Sequence, residues 1–337
     1  MLDGPRAASA LRDRLFLVSL PVVTDVAAAL RSIGDATAVD VAIGGLSEEP
    51  YTRRLAAARA LAVLRDPRAR GPLCAALSDP IAGVRAATLR ALAVLGPESD
   101  TANECLALLD DADAQVRIAA IRAVMRIDPQ HVGRLDALVG DPDLLVRREV
   151  AQHAGALGAP AARLFTDVGA EVRQAAARAA GRQQIGLLAM LIAEDPSSEV
   201  RRAAARSLGQ FDSSAAVDGL LTAIEDRDSL VRATAIRSLQ HALTHSGAVT
   251  RLAQQLASAR PERRRWSLHA VAHLNVELES SDVWRLADDP EPEVRHAVIC
   301  TAMVLLRDPE PLLLYMATDP DVGVRESART RVARWRA

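Results

Sequence analysis

Seven histidines are the residues of this chain best suited to metal or proton chemistry, and four of them fall in pairs. His241 and His245 are four apart, as are His269 and His273, a spacing that puts two rings on one helix face. His241 and His273 each follow a repeated anchor dipeptide by ten residues, so the pairs belong to adjacent repeats and together could hold a transition metal. No Glu or Asp completes a zinc pattern such as HExxH. Histidines close to helix C-termini also interact well with the helix dipole and need no ligand for it. The reading assigns no metal and no other cofactor, and keeps His241, His245, His269 and His273 as metal candidates only.

Other chemistry has less to start from. No nucleophile elbow, P-loop or dinucleotide fingerprint occurs, and Gly44-Gly45 is the one glycine pair. No catalytic residue is assigned, and a binding protein is favoured over an enzyme. Cys74, Cys105 and Cys300 lie far apart and read as small buried hydrophobes of a reducing compartment. The 41 basic and 43 acidic residues nearly cancel, which gives no global case for nucleic acid or an anionic membrane. Every basic residue is arginine. An apolar run from Leu15 to Val23 is broken by Pro21 and is too short to span a bilayer. It lacks the flanks of a secretory signal, so the expectation is a soluble cytoplasmic chain without a membrane span.

The arginines are ordered. Asp, often Pro, a few residues, then Val-Arg and an Ala-rich stretch recur along the sequence. Examples are Asp79-Pro80 before Val84-Arg85, Asp195-Pro196 before Val200-Arg201, and Asp289-Pro290 before Val294-Arg295. Two degenerate copies carry Arg53-Arg54 and Arg263-Arg264. The anchors at 53, 84, 116, 146, 172, 200, 231, 263, 294 and 324 are 26 to 32 residues apart. That period means stacked supersecondary units. Asp suits an N-cap and Pro the first helical position. Val200, Ala204 and Leu208 then mark one helix face, and Gly209, like Gly96, ends the helix. A second, more apolar helix follows, such as 185–192 or 216–224. Neither helix can bury its stripe alone, so neighbours must stack.

Each anchor Arg can be read two ways, as a basic ladder for phosphate or as a partner for the capping Asp of a neighbouring repeat. The matching period of Asp favours the second. A further column, Arg59, Arg90, Arg122, Arg178, Arg206 and Arg237, sits six residues after the anchor and is expected to face solvent.

These phrases resemble HEAT repeats, specifically the short HEAT-like repeats also found in phycobilin lyases, from about residue 21 to 335. The resemblance implies an all-α solenoid of about ten to eleven two-helix repeats. It implies that the Asp-Pro helix lies on the convex side and the second helix lines the concave groove. Residues 1–47 are expected to form a capping helix and a degenerate repeat, and 48–337 the array, with a change of curvature near 150–180. The repeats anchored at 146 and 172 are expected to have shortened second helices. An iron-binding hydroxylase of similar fold carries His-Glu pairs, and none occurs here. Some HEAT-like proteins are DNA glycosylases, but the second helices here are poor in arginine and cannot supply the phosphate contacts that dominate such affinity.

The favoured function is a scaffold or adaptor that binds a protein or peptide along the groove without chemistry. A phycobilin-lyase-like chaperone or modifying enzyme is the first alternative and nucleic-acid binding the second. On the second helices one position varies in type: Arg163, Leu191, Thr222, Gln254, Arg285 and Tyr315. Gln254, Arg285 and Tyr315 are the expected partner contacts. Trp284, one position earlier, is expected in the core, and Trp335 at the end of the stack.

Overall fold

A computed structural model describes residues 4–17, 19–242, 247–276 and 278–336. Among them the chain is helical, with no strand. It is an all-α solenoid of two-helix repeats, in two compact units, 1–175 and 176–337.

In the first unit the helices are α1 (Gly4–Arg14), α2 (Leu20–Ile33), α3 (Thr37–Gly45), α4 (Tyr51–Leu64), α5 (Arg70–Ala75), α6 (Ala82–Leu95), α7 (Ser99–Leu106), α8 (Ala114–Ile127), α9 (Leu144–Ala151), α10 (Ala154–Leu157) and α11 (Ala162–Phe165). A helix α12 (Ala170–Ala179) runs through the division. The second unit continues with α13 (Ile185–Glu194), α14 (Ser198–Leu208), α15 (Ser214–Ala223), α16 (Ser229–Ala242), α17 (Ala248–Gln255), α18 (Pro261–His273), α19 (Ser280–Ala287), α20 (Pro292–Leu305), α21 (Glu310–Met316) and α22 (Val322–Arg336). No helix among the described residues is long and apolar enough to cross a membrane.

The apolar stripes predicted from the anchors are buried. Val200, Ala204 and Leu208 are fully inaccessible, and so are Val84, Ala91 and Leu92 on α6. Ala at the contact positions lets the Val-Arg helices approach one another closely. In the first unit α4 packs along α6 and α6 along α8; in the second, α14 packs along α16 and α18 along α20. Second helices pack chiefly on the Val-Arg helix that follows and less on each other, as α5 does on α6 and α7 on α8. The layer of second helices is therefore the more open one.

The repeated Arg and Asp join successive repeats. Seven joints are intact among the described residues: Arg54 to Asp79, Arg85 to Asp111, Arg117 to Asp141, Arg147 to Asp167, Arg201 to Asp226, Arg264 to Asp289 and Arg295 to Asp319. Nε donates to one carboxylate oxygen at 2.6–2.8 Å and Nη2 to the other at 2.7–3.4 Å. Nη1 turns back to the carbonyls of its own repeat, as Arg201 does to Asp195 at 2.9 Å and Pro196 at 3.2 Å. The arginines lie against carboxylates in a nearly dry seam, where Arg201 and Asp226 are each 5% exposed. The bond to Asp226 raises the pKa of Arg201 above the ordinary arginine value.

The role of the repeated Asp differs from the sequence expectation. It is not the N-cap. Asp111 accepts the Asp113 N–H (2.9 Å) in a tight turn, and Asp113 is the residue that caps α8, accepting from Gln115 and Val116. Asp141 and Asp143 divide the work in the same way before α9. One carboxylate cannot both cap a helix and hold the preceding repeat's Arg, so the cap moves two residues on.

The shortened second helix expected after two anchors is found after one of them. After the anchor at 172 the second helix α13 keeps ten residues, and the shortening falls on α12. After the anchor at 146 the Val-Arg helix is interrupted between α9 and α10 and ends at Gly158, with φ at 67°; the second helix is shortened as expected, to the four residues of α11. After the anchor at 116 a ten-residue 3₁₀ helix, Pro129–Leu138, takes the place of an α-helix.

Candidate partner-binding surfaces

The open spacing of second helices leaves a groove of about 860 Å³ in the first unit, between α5 and α7. Arg70 stands at one end. Its Nη2 donates to the Leu95 carbonyl (3.2 Å) and Nη1 to the Gly96 carbonyl (3.3 Å), which satisfies groups left open where α6 stops, and Nη1 also donates to the Thr101 hydroxyl (3.4 Å). It also pairs with Glu98. Asp100 and Glu104, one turn apart on α7, add two more carboxylates to the rim. Ala75, Leu77, Ala107 and Leu108 supply an apolar lining. One arginine against three acids makes the rim negative.

Cys74 opens onto this groove and is partly exposed, as is Cys300, while Cys105 is buried. The expectation of three buried cysteines thus holds for Cys105 alone. Burial, then the bond to Glu104, pushes the Cys74 thiol up to about 12. It stays protonated near neutral pH and is a poor nucleophile. What the groove offers is a charged rim over an apolar lining.

In the second unit two of the three expected contacts lie on helices that pack on each other, α19 and α21. Arg285 on α19 and Tyr315 on α21 are both exposed. The Tyr315 hydroxyl donates to Asp288 Oδ1 at 2.6 Å, a bond that raises the pKa of the phenol. Trp284 does not enter the core. It is 38% exposed, with its ring centre 5.7 Å from that of Tyr315. Arg285 leans on Asp282 at 3.5 Å. A small cleft of about 350 Å³, lined by Asp288, Pro290, Tyr315 and Thr318 among others, adjoins the pair. Gln254 is exposed on α17. Its counterpart Leu191 is buried at 2%, so the varying position does not face outward in every repeat.

The histidines spread out. His241 is exposed near the end of α16, and His245 lies outside the described residues. His269 is half-buried on α18 with its ring 5.5 Å from Trp266, while His273 is exposed one turn on. Among the described residues no three His, Cys, Asp or Glu side chains converge as metal ligands would.

The second arginine column is largely solvent-facing, with one exception in its pairing. Arg122 reaches Glu149 on α9 through two bonds of 2.9 and 2.6 Å. Arg59 and Arg90 meet no carboxylate among the described residues. Burial, then the like charges of Arg59 and Arg122, holds Arg90 below the usual arginine range.

The acidic groove was missed by sequence reasoning. Its signal was the Asp100 to Glu104 spacing on an otherwise ordinary second helix. Trp284 was misplaced because its position in the repeat is held by Met190 and Leu221 elsewhere, which look like core.

Comparison with known proteins agrees with this architecture. Residues 186–272 match the family model of HEAT repeats, and residues 53–79 match that of the PBS lyase HEAT-like repeat. Among solved structures the chain is similar to Kap121p bound to Nup53p, at 14% identity and a TM-score of 0.59, over 97% of this chain and 41% of that one. A second structure, of Kap121p, aligns at 15% identity and a TM-score of 0.52, over 97% of this chain and 45% of that one. This chain therefore spans less than half the length of Kap121p, and the likeness is one of fold. Among curated proteins no sequence matches it. With helix pairs stacked through a repeated Arg and Asp, and two repeat models matched in separate stretches, the chain is a HEAT-repeat protein.

Proposed function

We propose that this chain is a non-catalytic scaffold that binds a protein or peptide partner on the outward faces of its second helices. The groove between α5 and α7 carries the reading. Its acidic rim and apolar lining fit a basic segment with small apolar side chains, held by charge at the edges and by burial along the floor. Trp284, Arg285 and Tyr315 are residue types that dominate interface energies, and they form the second contact region, with Gln254 beside them in the repeat pattern. That Kap121p, of related fold, has been crystallised with Nup53p supports a binding role for such a stack.

The test is an affinity pull-down from the host lysate with three forms of the chain. Glu98→Arg/Glu104→Arg reverses the groove rim, and Arg285→Ala/Tyr315→Ala strips the second region. A discrete protein retained by wild type and lost from the rim variant, with circular dichroism unchanged, supports the groove. Loss only from the second variant moves the site to α19 and α21. Absence of any discrete protein in all three sinks the scaffold reading.

One observation favours a second reading, nucleic-acid binding. Arg59 and Arg90 form a like-charged column without carboxylates on the Val-Arg layer, and a phosphate backbone would relieve that repulsion. Retention on DNA or RNA that falls steeply with salt would be its mark. No retention at low salt ends it.

A further inference from the structure

The ladder has a break inside the second unit. Arg232 is the ladder arginine of α16, and the aspartate due to receive it stands five residues before the next anchor. That position holds Ser258. Ser258 reproduces the rest of the aspartate's role: its Oγ accepts the Arg260 N–H (3.2 Å), and its carbonyl accepts from Arg264 Nη1 (2.7 Å). A hydroxyl cannot neutralise a guanidinium.

Arg232 keeps its backward bonds, from Nη1 to the carbonyls of Asp226 (2.7 Å) and Arg227 (3.1 Å). Its Nε and Nη2, which hold a carboxylate at seven other joints, have no acceptor among the described residues. Trp266 has come in beside it, at a position where other Val-Arg helices carry Ala87, Ala119, Ala203 or Ala297. The Arg232 Cζ lies 4.1 Å from the centre of the Trp266 ring, and the Arg265 Cζ lies 4.6 Å from it. Stacking uses the face of a guanidinium and leaves the donors on its edge. Arg265 Nε is buried and lacks any hydrogen-bond partner. Glu225, on the preceding stretch, is taken by Arg260 (3.2 Å) and Arg263 (2.5 Å). His269, on the next turn, is held below its ordinary pKa by burial, then by the positive charge of Arg265, His296 and Arg232. Arg232, Ser258, Arg265 and Trp266 are all partly exposed, so the position can be reached.

We propose that Arg232, Trp266 and Arg265 form a receptor for a carboxylate side chain of a partner protein, an Asp or Glu that supplies the missing member of the ladder. The intact joints show what this fork accepts: a planar carboxylate taken edge-on by Nε and Nη2. The receptor is independent of the groove between α5 and α7, and either can fail without the other.

The experiment uses the full chain with Trp284→Phe and Trp335→Phe, so that Trp266 alone reports. Tetraglutamate peptide is titrated at fixed ionic strength. The expected result is a saturable change in Trp266 emission. Ser258→Asp fills the slot from within; it should raise the melting temperature and weaken the peptide by about tenfold or more, as loss of a charge-assisted pair does. Ala259→Asp adds the same charge one residue away and should weaken it by about threefold at most, the scale of a screened surface charge. Arg232→Gln should abolish the response. A wild-type titration without saturation overturns the proposal, as does equal weakening by Ser258→Asp and Ala259→Asp. Competition by inorganic phosphate as strong as by the peptide overturns the assignment to a carboxylate.

Discussion

A ladder arginine such as Arg201 uses one side chain for two tasks: it holds Asp226 of the next repeat and the Asp195 and Pro196 carbonyls of its own. Removing the carboxylate alone strands a buried charge. Asp226→Ala should cost about 3–5 kcal/mol in urea unfolding, whereas replacing both partners by apolar residues should recover a large part of it. The exposed pair Arg251 and Asp218, at 36% and 57% exposure, sets the contrast, and Asp218→Ala should cost less than about 1 kcal/mol. Equal losses at the two sites would remove the ladder's structural role. Burial also governs pH response. His153 and His269 are both held below the ordinary imidazole value, each by burial first. Above the unfolded value of about 6.5 the two states bind equal protons. Below it the unfolded chain takes up protons that the folded chain refuses, so stability falls as pH drops. The melting temperature should therefore decrease between about pH 7 and pH 5, and His153→Gln/His269→Gln should flatten the decrease. The partners of the anchor arginines were legible because Asp shares their period. The division of labour between Asp111 and Asp113 was not, since both residue types suit a cap.

Two glycines end helices for different reasons, and single substitutions tell them apart. Gly209 follows α14 with an ordinary φ of −63°, but a Cβ there would lie 2.6 Å from the Cβ of Ser238 on α16. Gly96 follows α6 with φ at 98° and open space around it. Gly209→Ala should destabilise by about 1–3 kcal/mol through overpacking and be relieved in part by Ser238→Gly, which removes the Cβ and hydroxyl but leaves the Cα at 3.0 Å. Gly96→Ala should cost about 1 kcal/mol through backbone strain, with no relief from any neighbour's truncation. Thermal unfolding of the singles and the double distinguishes the two; a Gly209→Ala that Ser238→Gly leaves unchanged would refute the close-approach argument. From the sequence both look like the same helix stop. The helices themselves were legible because the Val, Ala, Leu stripe recurs at four-residue steps. The 3₁₀ run at Pro129–Leu138 was not, because its apolar residues Leu135 and Leu138 are compatible with either winding.

Repetition explains what could be read at the scale of the whole chain. Each repeat is a separate statement of the same helix pair, so errors at one copy are outvoted by the others, and the solenoid class emerges even though single boundaries slip. A binding surface is stated once. Trp284 beside Tyr315, the Asp100 and Glu104 rim, and Ser258 in place of aspartate are each departures from the repeat, and no second copy exists to confirm them. The likeness to Kap121p shares this limit, since it reports the stack and is silent on its exceptions.

The joint between repeats works like one standard plug and one standard socket. The plug is the Arg fork at the start of a Val-Arg helix, and the socket is the Asp ahead of the next one. As far as this joint is concerned, any intact repeat presents to its neighbour the same chemistry as the others. Excising 111–140 would leave Arg85 facing Asp141, the same chemistry it already meets at Asp111. Such a chain can change length by whole units, through duplication or loss, while keeping its seam closed. The position of Ser258 is where that regularity stops: a socket blank to its own plug sets this place apart from the seven closed joints.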